Sequence, residues 1–187
     1  MFAGIQSLPP SHWIKIRKGQ ISVQRYWDVS YEKRNPLISE EQCVEELDKL
    51  LRESIGIRLR SDVPFGAFLS GGIDSSVIVA IMSQLMNEPV KTFSVGFDGG
   101  DQSDELPFAK MVADRYGCEH HTLKVTGQDF LSYAETVLWH LDQPIADQAT
   151  VATFMVAKLA RQHVKMVLTG EGGDELFGGY ARYVGNQ

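Results

Sequence analysis

Two segments of this 187-residue chain carry the residue types that could do chemistry. In both, glycines are interleaved with hydroxyls and carboxylates. The first is Ser70-Gly71-Gly72-Ile73-Asp74-Ser75-Ser76, set between a short apolar run ending at Leu69 and a longer one reaching Met86. Two glycines at a strand-to-helix turn let the backbone approach a ligand closely. The helix beyond offers free N–H groups and the positive end of its dipole to an anion. Ser70, Ser75 and Ser76 add hydroxyl donors. Asp74 does not fit a bare anion site, because a carboxylate beside phosphate is repulsive unless a cation lies between them. Asp74 is therefore a candidate Mg2+ ligand. No Gly-Lys-Ser/Thr follows, so this is not a Walker-type loop. A plain turn with Asp74 as a helix cap explains Ser-Gly-Gly but not all seven residues.

The second segment is Thr169-Gly170-Glu171-Gly172-Gly173-Asp174-Glu175-Leu176-Phe177-Gly178-Gly179-Tyr180, after the apolar run Val164 to Leu168. Three carboxylates among five glycines are more than a solvated acidic turn requires. Ligands of an open parallel sheet bind at the carboxyl ends of its strands. Both loops are thus expected on one rim, where they could share a Mg2+ ion.

The elements that must hold these loops follow from the pattern. Short apolar strands (Phe65 to Leu69, Val90 to Phe97, Glu119 to Val125, Val164 to Leu168) alternate with helical stretches (Asp74 to Met86, Asp104 to Tyr116, Gln128 to Leu141, Thr150 to Gln162, Asp174 to Tyr180). That alternation predicts an α/β fold, an open parallel sheet with right-handed crossovers and helices on both faces. A helix is expected from Ser39, where Ser39-Glu40-Glu41-Gln42 has capping-box spacing, to about Leu59. Residues 1–38 read differently: Trp13 to Arg17 and Ile21 to Gln24 alternate around Lys18-Gly19-Gln20, a short β-hairpin.

Composition narrows the function classes. Net charge is −6 with no basic stripe, which argues against a nucleic-acid binder. Two cysteines without metal or disulfide spacing point to a reducing, cytoplasmic setting, and no apolar run is long enough for a membrane span. His120 and His121 are adjacent in a strand and so face opposite ways, which disfavours their sharing one ion. Trp139 is expected in the core and His140 at its edge. Asp104-Glu105 suits a helix start. Asp142, Asp147 and Gln148 either reach the rim or cap the next helix.

The first motif resembles the PP-loop of the N-type ATP pyrophosphatases, which cleave ATP between its α and β phosphates. The second resembles the Ser-Gly-Glu/Asp-Gly-Gly/Ser-Asp-Glu and Phe-Gly-Gly-Tyr stretch of the asparagine synthetase and β-lactam synthetase group. Thr92-Phe93-Ser94-Val95-Gly96-Phe97, Gly117-Cys118-Glu119-His120-His121, and Leu8-Pro9-Pro10-Ser11-His12 with Arg25-Tyr26-Trp27-Asp28 extend the likeness over essentially the whole chain. The resemblance implies a Rossmann-like fold of the adenine nucleotide alpha hydrolase type, with ATP and Mg2+ as cofactors. It implies nucleotide binding by Leu69, Ser70, Gly71, Gly72, Asp74, Ser75, Ser76, Val95 (backbone, to adenine), Thr169 and Gly170. Asp74 and Asp174 would hold Mg2+-pyrophosphate, with Glu171 beside an acyl-adenylate, so that Glu171, Asp74 and Asp174 are the catalytic candidates. The implied reaction activates the aspartate side chain as an acyl-adenylate and amidates it with ammonia from glutamine.

Departures from the group's pattern qualify that expectation. Residue 2 is Phe where a glutaminase would carry its nucleophilic cysteine, and the chain ends at Gln187. Residues 1–38 are thus read as a hairpin and linker left from a glutaminase domain, and 39–187 as an ATP-binding synthetase domain cut short, able to bind Mg-ATP with catalysis impaired or lost. The loop Asp142 to Thr150 lacks the group's Thr-Thr-Ile-Arg segment, which leaves another acid, or a lactam former, open. A nucleotide-binding fragment without turnover is the rival from a different class. Sheet edges and a lost interdomain face leave room for a homo-oligomer.

Overall fold

A computed structural model describes residues 3–30, 38–98, 105–142, 147 and 149–186. The chain divides into two compact units, Met1–Glu45 and Glu46–Gln187. In the first, β1 (His12–Arg17) and β2 (Gln20–Arg25) pair antiparallel, with Ile16 opposite Ile21. Lys18 and Gly19 both adopt positive φ, 49° and 77°, as a two-residue primed turn requires. Gln42 N–H donates to Ser39 Oγ at 3.3 Å and Ser39 N–H to Gln42 Oε1 at 3.0 Å. This is the expected reciprocal cap, and it opens α1 (Glu40–Arg58), which runs into the second unit.

The second unit continues with β3 (Phe65–Phe68), α2 (Ile73–Leu85), β4 (Lys91–Phe97), α3 (Leu106–Arg115), β5 (Glu119–Val125), α4 (Gly127–Leu141), α5 (Ala149–Ala160), β6 (Met166–Leu168), α6 (Gly173–Phe177) and a 3-10 turn, Ala181–Asn186. The strands form one parallel sheet in the order β5-β4-β3-β6. Strand periodicity sorts the side chains. Phe65, Ala67 and Leu69 pack with Ile55 of α1, Val79 and Met82 of α2, and Ala109 and Ala113 of α3. Phe68 and Phe93 pack with Val156 and Ala160 of α5, and Val125 packs with Val137 of α4 and Met155 of α5. Helices therefore cover both faces, as expected. Burying side chains as completely as Phe93, Leu69 and Met82 is worth about 1.5–3 kcal/mol each.

The chain builds outward from β3 through β4 to β5, then returns over the other face to place β6 on the far side of β3. The strand order thus reverses between β3 and β6, and the crevice at the carboxyl ends of such a pair is where open α/β sheets bind ligands.

Some elements differ from the sequence reading. β6 has three residues rather than five, because Val164 N–H still bonds Ala160 O at the end of α5 and Lys165 N–H bonds Pro64 O ahead of the ladder. Trp139 is 75% exposed instead of buried, since α4 turns Phe130, Tyr133, Val137 and Leu141 to the sheet and leaves position 139 outward. Asp147 caps α5, its Oδ1 accepting Ala149 N–H at 2.9 Å. Asp104, Gln148 and the segment 143–146 lie outside the described residues.

Candidate functional site

The loop after β3 is held from within. Leu69 donates its amide to Phe93 O at 2.9 Å and accepts the Ser94 hydroxyl on its own carbonyl, so it anchors the loop through its backbone. Ser70 hooks forward: its amide donates to Ser75 Oγ at 3.2 Å, its Oγ lies 3.0 Å from Ser75 Oγ, and it accepts Gly72 N–H at 3.2 Å. Ser75 Oγ donates in turn to Gly72 O at 3.2 Å. The loop then enters α2 at Gly72, with no side-chain cap on the helix, so the first amides of α2 have no side-chain acceptor. Ser76 Oγ is buried without a partner among the described residues. Uncapped helix amides and an orphan hydroxyl suit an anion.

Gly71 has φ +87°, and a Cβ there would lie 2.6 Å from Phe108 Cβ and 2.5 Å from Ala109 N. The start of α3 thus walls the loop on one side.

The loop after β6 closes the other side. A Cβ on Gly170 would lie 2.8 Å from Ser75 N and 3.0 Å from Asp74 Cβ, and a Cβ on Gly173 would overlap the Asp74 carboxylate. The backbone of the second motif therefore sits directly on the first turn of α2. The two motifs, about a hundred residues apart, thus lie against each other on the rim expected from sequence. Thr169 and Glu171 are exposed, Gly170 and Asp174 half-buried. Asp174 lies over Gly179, where a Cβ would overlap its carboxylate. Val95 lies half-buried on β4, between the two cores beneath α4 and α5.

The electrostatics of the rim are acidic. Tyr180 OH donates to Glu175 Oε1 at 2.7 Å. That bond, with some burial and the charges of Glu175, Asp174 and Glu171, pushes the phenol up to about 12. The same bond, from the other side, lowers Glu175 below the usual carboxylate range. Arg182 lies over the Tyr180 ring at 4.6 Å. Among the described residues, Asp74, Glu171 and Asp174 make no ion pair. These carboxylates do not form a ready-made three-ligand cage either; the one such group of His, Cys, Asp or Glu among the described residues lies elsewhere. Carboxylates beside anion-suited amides are the type of donor set that Mg2+ characteristically takes, one or two of them with phosphate oxygens and water completing its octahedron.

Sequence reasoning did not find Ser94, although a serine inside an apolar strand is a signal that a buried hydroxyl has a structural task. Nothing in the sequence pointed to Phe108 and Ala109, whose approach to Gly71 depends on the crossover geometry.

The asparagine synthase family model matches residues 46–186. The chain belongs to the asparagine synthase family. Among relatives, an asparagine synthetase [glutamine-hydrolyzing] 1 of Bacillus subtilis (strain 168) is 38% identical over 183 residues, covering 97% of this chain and 28% of that protein. Amidase chry2 of Gibberella zeae is 33% identical over 196 residues, covering 96% of this chain and 29% of that protein. The chain thus spans less than a third of the length of these relatives. Among solved structures, an NH3-dependent NAD synthetase from Campylobacter jejuni superposes with a TM-score of 0.50 at 14% identity, covering 73% of this chain and 60% of that one. At that identity the likeness is one of fold.

Proposed function

We propose that this chain is the ATP-binding part of an ATP-dependent amide-forming ligase of the asparagine synthase type. The observation that carries the reading is the seating of the Gly170–Gly173 backbone on Asp74 and Ser75 at the point where the strand order reverses. It supports reading the two glycine-rich loops as one site.

In this reading the uncapped amides of α2 and the Ser76 hydroxyl receive the pyrophosphate end of ATP, while Ser70 and Ser75 keep the loop in shape. The β4 backbone near Val95 lies against adenine, and Thr169 and Gly170 touch the nucleotide. Asp74 and Asp174 hold Mg2+, which when bound offsets the charge of the leaving pyrophosphate. A carboxylate oxygen of the acceptor, the aspartate side chain, bonds to the α-phosphorus. The α–β bridging bond breaks, and pyrophosphate leaves with the electron pair. Glu171 lies beside the acyl-adenylate. Ammonia derived from glutamine then forms the C–N bond, AMP departs, and the nitrogen loses a proton. Residues 1–38 are read as the junction with a glutaminase domain, 39–187 as the synthetase part, and the setting as cytoplasmic.

A second reading keeps the site and changes the acid. The loop from Asp142 to Thr150 lacks the Thr-Thr-Ile-Arg segment, and a similar protein carries the name amidase. Calorimetric titration of Mg-ATP into the chain and into Asp74→Asn and Asp174→Asn tests the site. Binding is expected to need Mg2+ and to weaken in both variants, and a folded chain that binds no Mg-ATP would overturn the assignment. With acid and ammonia supplied, AMP and pyrophosphate are expected, and the acid that stimulates their release decides between the readings. ADP and phosphate would overturn the mechanism. Binding without pyrophosphate for any acid would mark a nucleotide-binding fragment.

A further inference from the structure

A cluster at the opposite end of the sheet from the glycine-rich loops has no part in this reaction. Glu119 begins β5 and His121 follows two residues later on the same face, while His163 lies in the turn between α5 and β6. His121 Nε2 is 2.9 Å from Glu119 Oε1. The His121 and His163 rings stack with centroids 3.9 Å apart at 30°, and Phe93 backs His121 at 5.3 Å. One ligand atom from each of the three residues lies within 4.8 Å of the others. Glu119 is exposed and both histidines are half-buried, so an ion from solvent can reach donors whose rings are supported from behind. The His163 ring makes no hydrogen bond among the described residues.

We propose that Glu119, His121 and His163 form a binding site for a divalent transition-metal ion of the zinc class. Two imidazole nitrogens and one carboxylate oxygen suit zinc, cobalt or nickel, whereas Mg2+ prefers oxygen alone. Tetrahedral bonds of about 2.0–2.1 Å place donor atoms roughly 3.3 Å apart. The 2.9 Å contact of His121 with Glu119 and the 4.8 Å limit on the set leave the three donors within reach of one ion after side-chain rotation. Three protein ligands leave a fourth position for water. Lys91 is the register partner of Glu119 on the neighbouring strand, and the selectivity of the site rests on the imidazoles. His120 takes no part: its Nδ1 lies 2.9 Å from Thr92 Oγ1 on the other face of the strand. The ion would tie the edge strand β5 to the turn that leads into β6, stiffening the approach to the acidic loop.

The test is titration of Co2+ into the full chain without Mg2+ or ATP, followed by its visible d–d absorption. The expected result is saturation at one equivalent, displacement by Zn2+ but not by Mg2+, and a loss of roughly tenfold or more in affinity in Glu119→Gln and in His163→Gln. Asp74→Asn, on the acidic rim, should leave the cobalt spectrum unchanged. Glu119 is exposed, so Glu119→Gln reports on binding even if a histidine variant folds poorly, with circular dichroism as the check. A spectrum that survives both ligand variants, one that moves with Asp74→Asn, or none from the folded chain would overturn the proposal.

Discussion

Gly173 has no left-handed φ to explain its identity. What excludes a side chain there is the Asp74 carboxylate, which a Cβ would overlap. Gly173→Ala should therefore push Asp74 aside while leaving α6 intact, since alanine is the better helix former by about 1 kcal/mol. We expect roughly tenfold weaker Mg-ATP binding, about 1.4 kcal/mol, with little change in melting temperature. On an Asp74→Asn background the same change should cost almost nothing, because the two act through one contact. Calorimetry of the four-member cycle checks this, and additive losses would show that Gly173 acts independently of Asp74. Tyr180 offers a pH test. Its folded value, about 12, is above the ordinary 10.0 because of Glu175. The bond's contribution is thus complete below pH 10 and fades as pH rises through about 12. In Glu175→Gln, ultraviolet titration should show one phenol returning toward 10. An unchanged titration would mean that the bond does not govern that phenol.

Among the elements, the turn from β3 into α2 shows how two neighbouring glycines differ. Gly71 combines φ +87° with backbone of α3 in the way of a Cβ, whereas a Cβ on Gly72 meets only Ser70 Oγ at 3.3 Å. Left-handed strain costs on the order of 1–3 kcal/mol, and forcing α3 away costs about as much again. Gly71→Ala should thus lose about 3 kcal/mol or more in urea unfolding. Gly72→Ala, at an N-cap, should lose about 1 kcal/mol or less. Equal losses would mean that α3 does not wall the loop. The sequence could place this turn because an apolar run, a glycine pair and a second apolar run are local signals. It could not separate the two glycines, since what distinguishes them is a helix that starts more than thirty residues later. For the same reason Trp139 was misplaced: an aromatic in an apolar helix reads as core until the face that meets the sheet is known. His163 likewise carried no signal until the end of α5 brought it beside His121.

At the scale of the whole molecule, parallel strands and a common rim were legible from the alternation of strands and helices, but strand order was not. That β6 returns beside β3 depends on α4 and α5 crossing to the other face, a long-range choice that no local pattern encodes. The adjacency has a measurable consequence. If β3 and β6 deliver two halves of one nucleotide site, then Mg-ATP at about a hundred times its Kd should stabilise the chain by about 2.7 kcal/mol. Asp74→Asn and Asp174→Asn should each reduce that gain, although they stand in loops remote in sequence. Amide hydrogen exchange gives the spatial version. Slowing should appear in residues 70–76 and in residues 169–174 at the same nucleotide concentration, because one ligand touches both. Slowing confined to the first loop would mean that α2 binds phosphate alone and that the acidic loop serves another purpose. Slowing in both loops that disappears from both in either variant would tie them to a single occupant, as the reversal of strand order between β3 and β6 implies.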